Sequence, residues 1–244
     1  EFPRPFPAAG EVLIRVRAAS INSWDWDLLR GRPYIVRLGG WFSPRFQVLG
    51  ADVAGEVVAV GGQVTTFDVG DEVVGDLSGD QWGAFAEYVC APAQSLTKKP
   101  TSLSFEAAAA IPQAGVMALQ GIDDYGKVKP GHRVLINGGG GGVGSFAIQL
   151  AKMRGAEVTG VDRSDKFEFM KSLGADHVLD YRTEDFVQGS TKYDLVLDVQ
   201  VQRTFATCRR ALPPMGKYVI VGGSIPKIFG HGIRQMILPK GGKQ

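Results

Sequence analysis

The sequence predicts a two-part α/β protein, with a β-rich half followed by a doubly wound parallel-sheet half. Two observations carry this. In the first hundred residues, short alternating segments are separated by glycine turns, the pattern of a barrel-like antiparallel domain. From about Ser102 the composition changes, and short apolar runs alternate with helical periodicity, the signature of βαβ units with right-handed crossovers. The boundary is placed between residues 112 and 113, giving domains 1–112 and 113–244.

In the first half, Glu11–Ala19 is the clearest strand, with Val12, Ile14 and Val16 pointing one way and Arg15 and Arg17 the other. Ser20–Gly31 begins as a loop and closes as a short helix ending at Gly31. Val53–Val60 and Ala84–Cys90 read as strands, and Phe67–Val74 as turn then strand. Ser104–Ile111 reads as a helix, with Ser104 as N-cap, Glu106 in the first turn and Pro112 as its stop. A second helix is expected from about Ala114 to Tyr125. Beyond it, strands are expected at 133–137, 157–161, 177–179, 194–199 and 217–222, and helices near 143–154, 165–173 and 203–212.

The second half is organised around Arg133-Val-Leu-Ile-Asn137, the five glycines Gly138–Gly142, and the stretch Val143–Ala151. Val134, Leu135 and Ile136 suit a strand buried on both faces. Val143, Phe146, Ala147, Leu150 and Ala151 recur at helical spacing. Between them Gly139, Gly141 and Gly144 fit G-x-G-x-x-G. The first glycine allows the tight turn, the second lets a pyrophosphate approach the backbone, and the third lets helix and strand pack closely. The helix N-terminus, with its free N–H groups, faces the phosphates. The next strand ends at Asp162, 23 residues after Gly139, where the adenosine ribose of a dinucleotide is met. This half is therefore a Rossmann domain.

Composition excludes several classes. Apolar residues make up 44% and charged residues 21% of the 244 residues, ordinary values for a globular chain. The net charge of +2, with scattered Lys and Arg, offers no field for nucleic acid. No apolar run is long enough to span a bilayer. Cys90 and Cys208 are too few for a disulfide framework and suit the cytoplasm or another reducing compartment. The N-terminus lacks the layout of a signal peptide but does not begin with Met, so organelle targeting stays open.

The matching segments run almost end to end: Glu11–Ala19, Asn22-Ser-Trp-Asp25 with Arg30-Gly31, Leu49-Gly-Ala-Asp-Val-Ala-Gly55, Val69-Gly-Asp-Glu-Val73, Ala86-Glu-Tyr88, the glycine turn, Leu173-Gly-Ala-Asp176 and Asp180-Tyr181. On these the chain resembles the zinc-free quinone oxidoreductase branch of the medium-chain dehydrogenase/reductase superfamily. The resemblance implies a GroES-like catalytic domain before the Rossmann domain. Family members carry one or two further strands before the equivalent of Glu1 and a sixth Rossmann strand after Gln244. The chain is thus expected to be partial, with five of six strands. The family often dimerises through that sixth strand, which leaves a homo-oligomer in doubt. Met117 stands where the family usually has a small hydroxyl residue.

Zinc-dependent members of the superfamily need thiolate and imidazole ligands. The matching positions here are Asn22 and Ala51, and neither binds zinc, so no metal is expected. Without a Lewis acid, reduction of a quinone or an activated enone is favoured over alcohol oxidation. The resemblance places Asn22 and Asp25 beside nicotinamide and substrate. Asn22 either donates to a substrate carbonyl or caps the following turn, and Asp25 either orients the site or serves as a cap acid. Tyr34, Trp41 and Phe46, in an irregular aromatic segment, are the pocket candidates. At least half of the four tryptophans are expected in the β-domain core.

Cofactor contacts are expected at Gly139, Gly141, Gly142, Val143, Gly144, Asp162, Arg163, Lys166 and Gly222. Asp162 alone favours the 2′-hydroxyl of NADH; Arg163 and Lys166 favour the 2′-phosphate of NADPH. The resemblance supports Lys166 and adds Tyr181, so NADPH is preferred. The expected function is NADPH-dependent hydride transfer to quinones or α,β-unsaturated carbonyls, without zinc. The alternatives are an NADPH-binding sensor or structural protein without turnover, and an enoyl-reductase unit of a larger assembly.

Overall fold

The computed structural model describes residues 2–31, 46–79 and 81–221. The chain divides into two compact units, Glu1–Gln113 and Ala114–Gln244.

The first unit is built on one antiparallel sheet. β1 (Glu11–Ala19), β2 (Asp52–Val60), β3 (Glu72–Asp76), β4 (Tyr88–Pro92) and β5 (Leu96–Lys98) lie in the order β4-β1-β2-β3-β5. β4 and β5 stand at opposite ends of this order, although only Ala93–Ser95 separates them. Laid flat, the sheet would hold them roughly 19 Å apart, at about 4.8 Å per strand. The connection reaches about 14 Å. The sheet must therefore curl on itself, which is the barrel-like form the alternation predicts. Val12, Ile14, Val53, Val57 and Val73 are fully buried in its core. On the other face Arg15 and Arg17 converge on Glu56 at 2.7 and 3.3 Å.

The strand expected over Ala84–Cys90 begins only at Tyr88. Before that point Ala84 and Phe85 donate their N–H groups to the carbonyls of Gly50 and Leu49, at 3.0 and 2.9 Å, and so belong to a loop pairing. β5, at three residues, is too short to show periodicity. Helix α1 (Ser23–Arg30) ends at Gly31, whose φ of 58° lets its N–H turn back onto the carbonyls of Asp27 and Leu28. Helix α2 (Phe105–Ala109) is capped by Ser104 Oγ, which accepts from the Ala107 N–H at 3.2 Å. Pro112 does not simply stop α2. It opens α3 (Pro112–Leu119), at the one helical position where a missing N–H costs nothing. A π-helical stretch, Gln120–Gly126, continues α3.

In the second unit, β6 (Arg133–Asn137), β7 (Glu157–Asp162), β8 (His177–Asp180), β9 (Leu195–Asp198) and β10 (Lys217–Ile220) form a parallel sheet in the order β10-β9-β6-β7-β8. The helices are α4 (Gly142–Met153), α5 (Phe167–Ser172) and α6 (Phe205–Cys208). α5 and α6 are shorter than the periodicity predicts because tighter 3₁₀ turns, Ser164–Lys166 and Arg209–Ala211, take up the remaining residues. Alternation within β6 sends Val134 and Ile136 into one core with Ala147 and Ile148, and Leu135 into another with Val161, Val196 and Cys208. A sheet covered on both faces follows. The chain reverses between β6 and β9, so the carboxyl ends of these strands flank the topological switch point, where open α/β sheets bind ligands.

Gly55 sits where β2 crosses β1. A Cβ there would lie 2.3 Å from the Arg15 carbonyl oxygen and 2.6 Å from Ile14 Cγ2. Gly55→Ala is expected to cost about 2 kcal/mol through overpacking, read as a lower urea midpoint for the transition of the first unit. An unchanged midpoint would show that the strands separate freely.

Candidate active site

The glycine turn is built by close approach. Gly138 carries the left-handed conformation, with φ of 95°. The tight turn therefore belongs to the residue before Gly139, the one expected to supply it. Gly139 is needed for packing instead: a Cβ on it would lie 2.8 Å from Met170 Sδ and 3.3 Å from Gly160 Cα of β7. At Gly144 a Cβ would lie 2.1 Å from the Gly138 carbonyl oxygen, which is the helix-on-strand contact the third glycine was expected to allow. At Gly141, the N-cap of α4, the same atom would meet only the Gly138 oxygen at 3.4 Å, leaving the backbone open to a ligand. Gly142, Val143 and Gly144 form the first turn of α4, where N–H groups have no helical acceptor. This cradle fits a diphosphate.

At the carboxyl end of β7, Asp162 faces inward. Its Oδ2 accepts the Gly140 N–H at 2.9 Å and its Oδ1 the Arg163 N–H at 2.8 Å. Lys166 closes over the turn, donating from Nζ to the Gly140 carbonyl at 2.9 Å. Arg163 pairs with Asp165 at 2.8 Å. Tyr181 follows β8, half-exposed, and its N–H donates to the Asp162 carbonyl. Arg182 was not foreseen. Its guanidinium grips Asp180 with bonds of 3.0 and 2.8 Å and also donates to Ser164 Oγ at 3.1 Å. That grip holds the Asp180 carboxyl well below the usual carboxylate range. Arg163, Ser164, Lys166, Tyr181 and Arg182 thus gather at the ends of β7 and β8. Gly222 lies outside the described residues.

In the first unit, Asn22 and Asp25 meet at the start of α1. Asn22 takes the N-cap position, and Asp25 accepts the Asn22 N–H at 2.7 Å and the Gly50 N–H at 3.0 Å. Asp25 is therefore a buried acid serving as a cap. The Asn22 amide has acceptors within the unit: its Nδ2 donates to Ser20 Oγ at 3.2 Å and to Asp52 Oδ2 at 3.0 Å. Asp52 is the hub that sequence reasoning passed over. It is fully buried, and it also accepts from Ser20 Oγ at 2.7 Å and from the Gln113 N–H in the first turn of α3 at 3.1 Å. Burial pushes its carboxyl upward, while the Asn22 and Ser20 hydrogen bonds partly offset this. The available signal was an acid set among Ala51, Val53 and Ala54 in an apolar strand.

Of the pocket candidates, Tyr34 and Trp41 lie outside the described residues. Phe46 packs against buried Trp82, with ring centroids 5.7 Å apart. Trp24 and Trp26 are exposed, so of the three described tryptophans only Trp82 serves the core. Met117 is half-buried on α3. Among the described residues no helix is long and apolar enough to cross a membrane.

A curled antiparallel domain followed by a parallel Rossmann-like sheet with a glycine turn at its switch point is the two-domain architecture of the medium-chain dehydrogenases and reductases. A model of the alcohol dehydrogenase GroES-like domain matches residues 8–101, and a model of the zinc-binding dehydrogenase domain matches residues 142–237. A chloroplast envelope quinone oxidoreductase homolog of Arabidopsis thaliana is 34% identical, over 98% of this chain and 74% of its own length. The 2-methylene-furan-3-one reductase of Solanum lycopersicum is 37% identical, over 88% of this chain and 55% of its own. Among solved structures, the quinone oxidoreductase from Coxiella burnetii superposes with a TM-score of 0.78 at 31% identity, covering 95% of this chain and 80% of that one. The CurK enoyl reductase gives 0.79 at 31%, covering 91% and 68%. The chain belongs to the quinone oxidoreductase branch of the medium-chain dehydrogenase/reductase superfamily.

Among the described residues no three His, Cys, Asp or Glu side chains gather as a ligand set.

Asp52→Ala would orphan the Ser20 hydroxyl, the Asn22 amide and the Gln113 N–H. A loss of about 2–4 kcal/mol is expected, measured by urea denaturation; a loss below about 0.5 kcal/mol would mean the hub carries no load. For Asp180 the folded value lies below the ordinary 3.8, so on acidification the unfolded chain takes up the proton first. The stabilisation is complete above the unfolded value and is lost progressively as pH falls below it and through the folded value. Arg182→Leu removes the main cause. Its unfolding temperature should therefore fall less steeply than the unaltered protein's between about pH 5 and pH 3. Parallel slopes would exclude the Arg182 clasp as the source.

Proposed function

We propose that the chain is an NADPH-dependent reductase that delivers hydride to quinones or α,β-unsaturated carbonyl compounds without a metal. The carrying observation is the arrangement of Asp162 and Lys166 at the glycine turn. Asp162 spends one lone pair of each oxygen on a backbone N–H group, which draws its carboxylate onto the turn. Lys166 uses one of its three donors on Gly140 and keeps the others for a phosphate. Arg163, Tyr181 and Arg182 stand at the same strand ends.

In this reading the backbone of Gly141–Gly144 holds the diphosphate, and Lys166, with Arg163 and Tyr181, holds the 2′-phosphate. Bound there, the dihydronicotinamide supplies the hydride. Asn22 and Asp25 keep their substrate-side assignment from the family resemblance, Asp25 by fixing the Asn22 backbone and Asn22 by shaping the site. The proton comes from water or a hydroxyl. The substrate class is supported by the names of the relatives, among them quinone oxidoreductases and a reductase of a methylene furanone.

A second reading, an enoyl-reductase unit of a larger assembly, is favoured by one observation. The chain is 33% identical to a segment making up 6% of a polyketide synthase component from Streptomyces venezuelae. NADPH oxidation assayed with quinones, free enones and enoyl thioesters separates the two; strict dependence on the thioester would replace the first reading by the second.

Lys166→Ala is expected to weaken NADPH binding about tenfold while leaving NADH binding nearly unchanged, measured by calorimetric titration. Equal effects on both cofactors would remove Lys166 from the phosphate site.

A further inference from the structure

We infer that Gln200 is a cofactor-contacting residue, its carboxamide binding the diphosphate–ribose region on the nicotinamide side of the dinucleotide, and that Asp198 and a strained Val201 aim it there. This rests on the cofactor reading above and extends it to a residue outside the glycine turn.

Asp198 closes β9 and is 1% exposed. Its Oδ1 accepts the Gln200 N–H at 3.0 Å, the Val201 N–H at 2.8 Å and Asn137 Nδ2 at 2.8 Å. Its Oδ2 accepts the Tyr218 hydroxyl at 2.6 Å. One carboxylate thus ties the carboxyl ends of β6 and β9 to Tyr218 of β10. Two successive N–H groups turned onto one oxygen force the chain into a tight loop, and Val201 adopts φ of 47°. A buried β-branched residue is rarely found in that conformation, and such strain collects where a ligand is gripped.

The loop lays Gln200 against the glycine turn. A Cβ built on Gly138 would lie 3.1 Å from Gln200 Cγ and 3.3 Å from its Nε2. Gln200 is exposed, and among the described residues its carboxamide has no hydrogen-bond partner. Gly138 and Gln200 follow β6 and β9, the two strands that flank the switch point. A dinucleotide crossing there has its adenosine half toward β7 and its nicotinamide half toward β9. A carboxamide offers a donor to phosphate oxygen and an acceptor to a ribose hydroxyl.

The test is calorimetric titration of the full chain with NADPH and with 2′,5′-ADP, which carries only the adenosine half. Gln200→Ala should weaken NADPH about tenfold and leave 2′,5′-ADP unchanged. No loss, or an equal loss for both, overturns the inference. Val201→Gly frees the left-handed position at the expense of a buried side chain, and should weaken NADPH but not 2′,5′-ADP. A folded variant with full NADPH affinity would overturn the aiming role of the strain. If the unaltered protein prefers NADH, the phosphate assignment falls, and Gln200 is judged by the same comparison with NADH against AMP. Binding of neither dinucleotide overturns both.

Discussion

The second unit depends on one close approach. A side chain on Gly144 would collide with the Gly138 carbonyl oxygen at 2.1 Å, so α4 can begin directly over the end of β6 only because that side chain is missing. The consequences spread from there. The first turn of α4 is left facing outward with unused N–H groups. Beneath it, Gly139 and Gly160 make room for Met170 Sδ, which locks β6, β7 and α5 together. The candidate anion cradle is therefore a by-product of packing. Any residue that prises helix from strand would lose the site and the core together.

A second device recurs in both units: an inward-facing carboxylate that gathers backbone N–H groups at the end of a strand or the start of a helix. Asp25 fixes the Asn22 and Gly50 N–H groups, Asp52 the Gln113 N–H, Asp162 those of Gly140 and Arg163, and Asp198 those of Gln200 and Val201. A buried ionised carboxylate is tolerable only when its lone pairs are filled, and loop N–H groups otherwise lack partners. Each acid therefore solves two problems at once. The loops so fixed are the ones that carry the candidate site residues.

What the sequence made legible follows from this. β6 was readable to the residue, because a strand buried on both faces is a plain apolar run between Arg133 and Asn137. The glycine turn, α4 and the five parallel strands were readable from period and punctuation. Three kinds of feature were not. β5 is too short for any period. The left-handed residue of the turn is Gly138, and five consecutive glycines hide which one bends. The carboxylate hubs join residues 30 to 61 positions apart, as Asp52 does with Asn22 and Gln113, and no local pattern encodes such a contact. Asn22 and Asp25 were visible as a pair, but the acceptors of the Asn22 amide were not.

Those acceptors bear on the chemistry. A substrate carbonyl seeking the Asn22 amide would have to displace Ser20 or the Asp52 carboxylate. Leaving the buried Asp52 carboxyl without its Asn22 partner would cost its desolvation, so a neutral substrate carbonyl gains little by taking that donor. In the proposed reading Asn22 therefore gives little electrophilic help. Hydride transfer then falls to acceptors that carry their own activation. A quinone does so because the charge it gains spreads into an aromatic ring, and a conjugated enone does so because its charge reaches the carbonyl through the double bond. A simple ketone has neither. With Asn22 on the substrate side, as the family resemblance implies, the proposed substrate class is one that tolerates an amide already committed to Ser20 and Asp52.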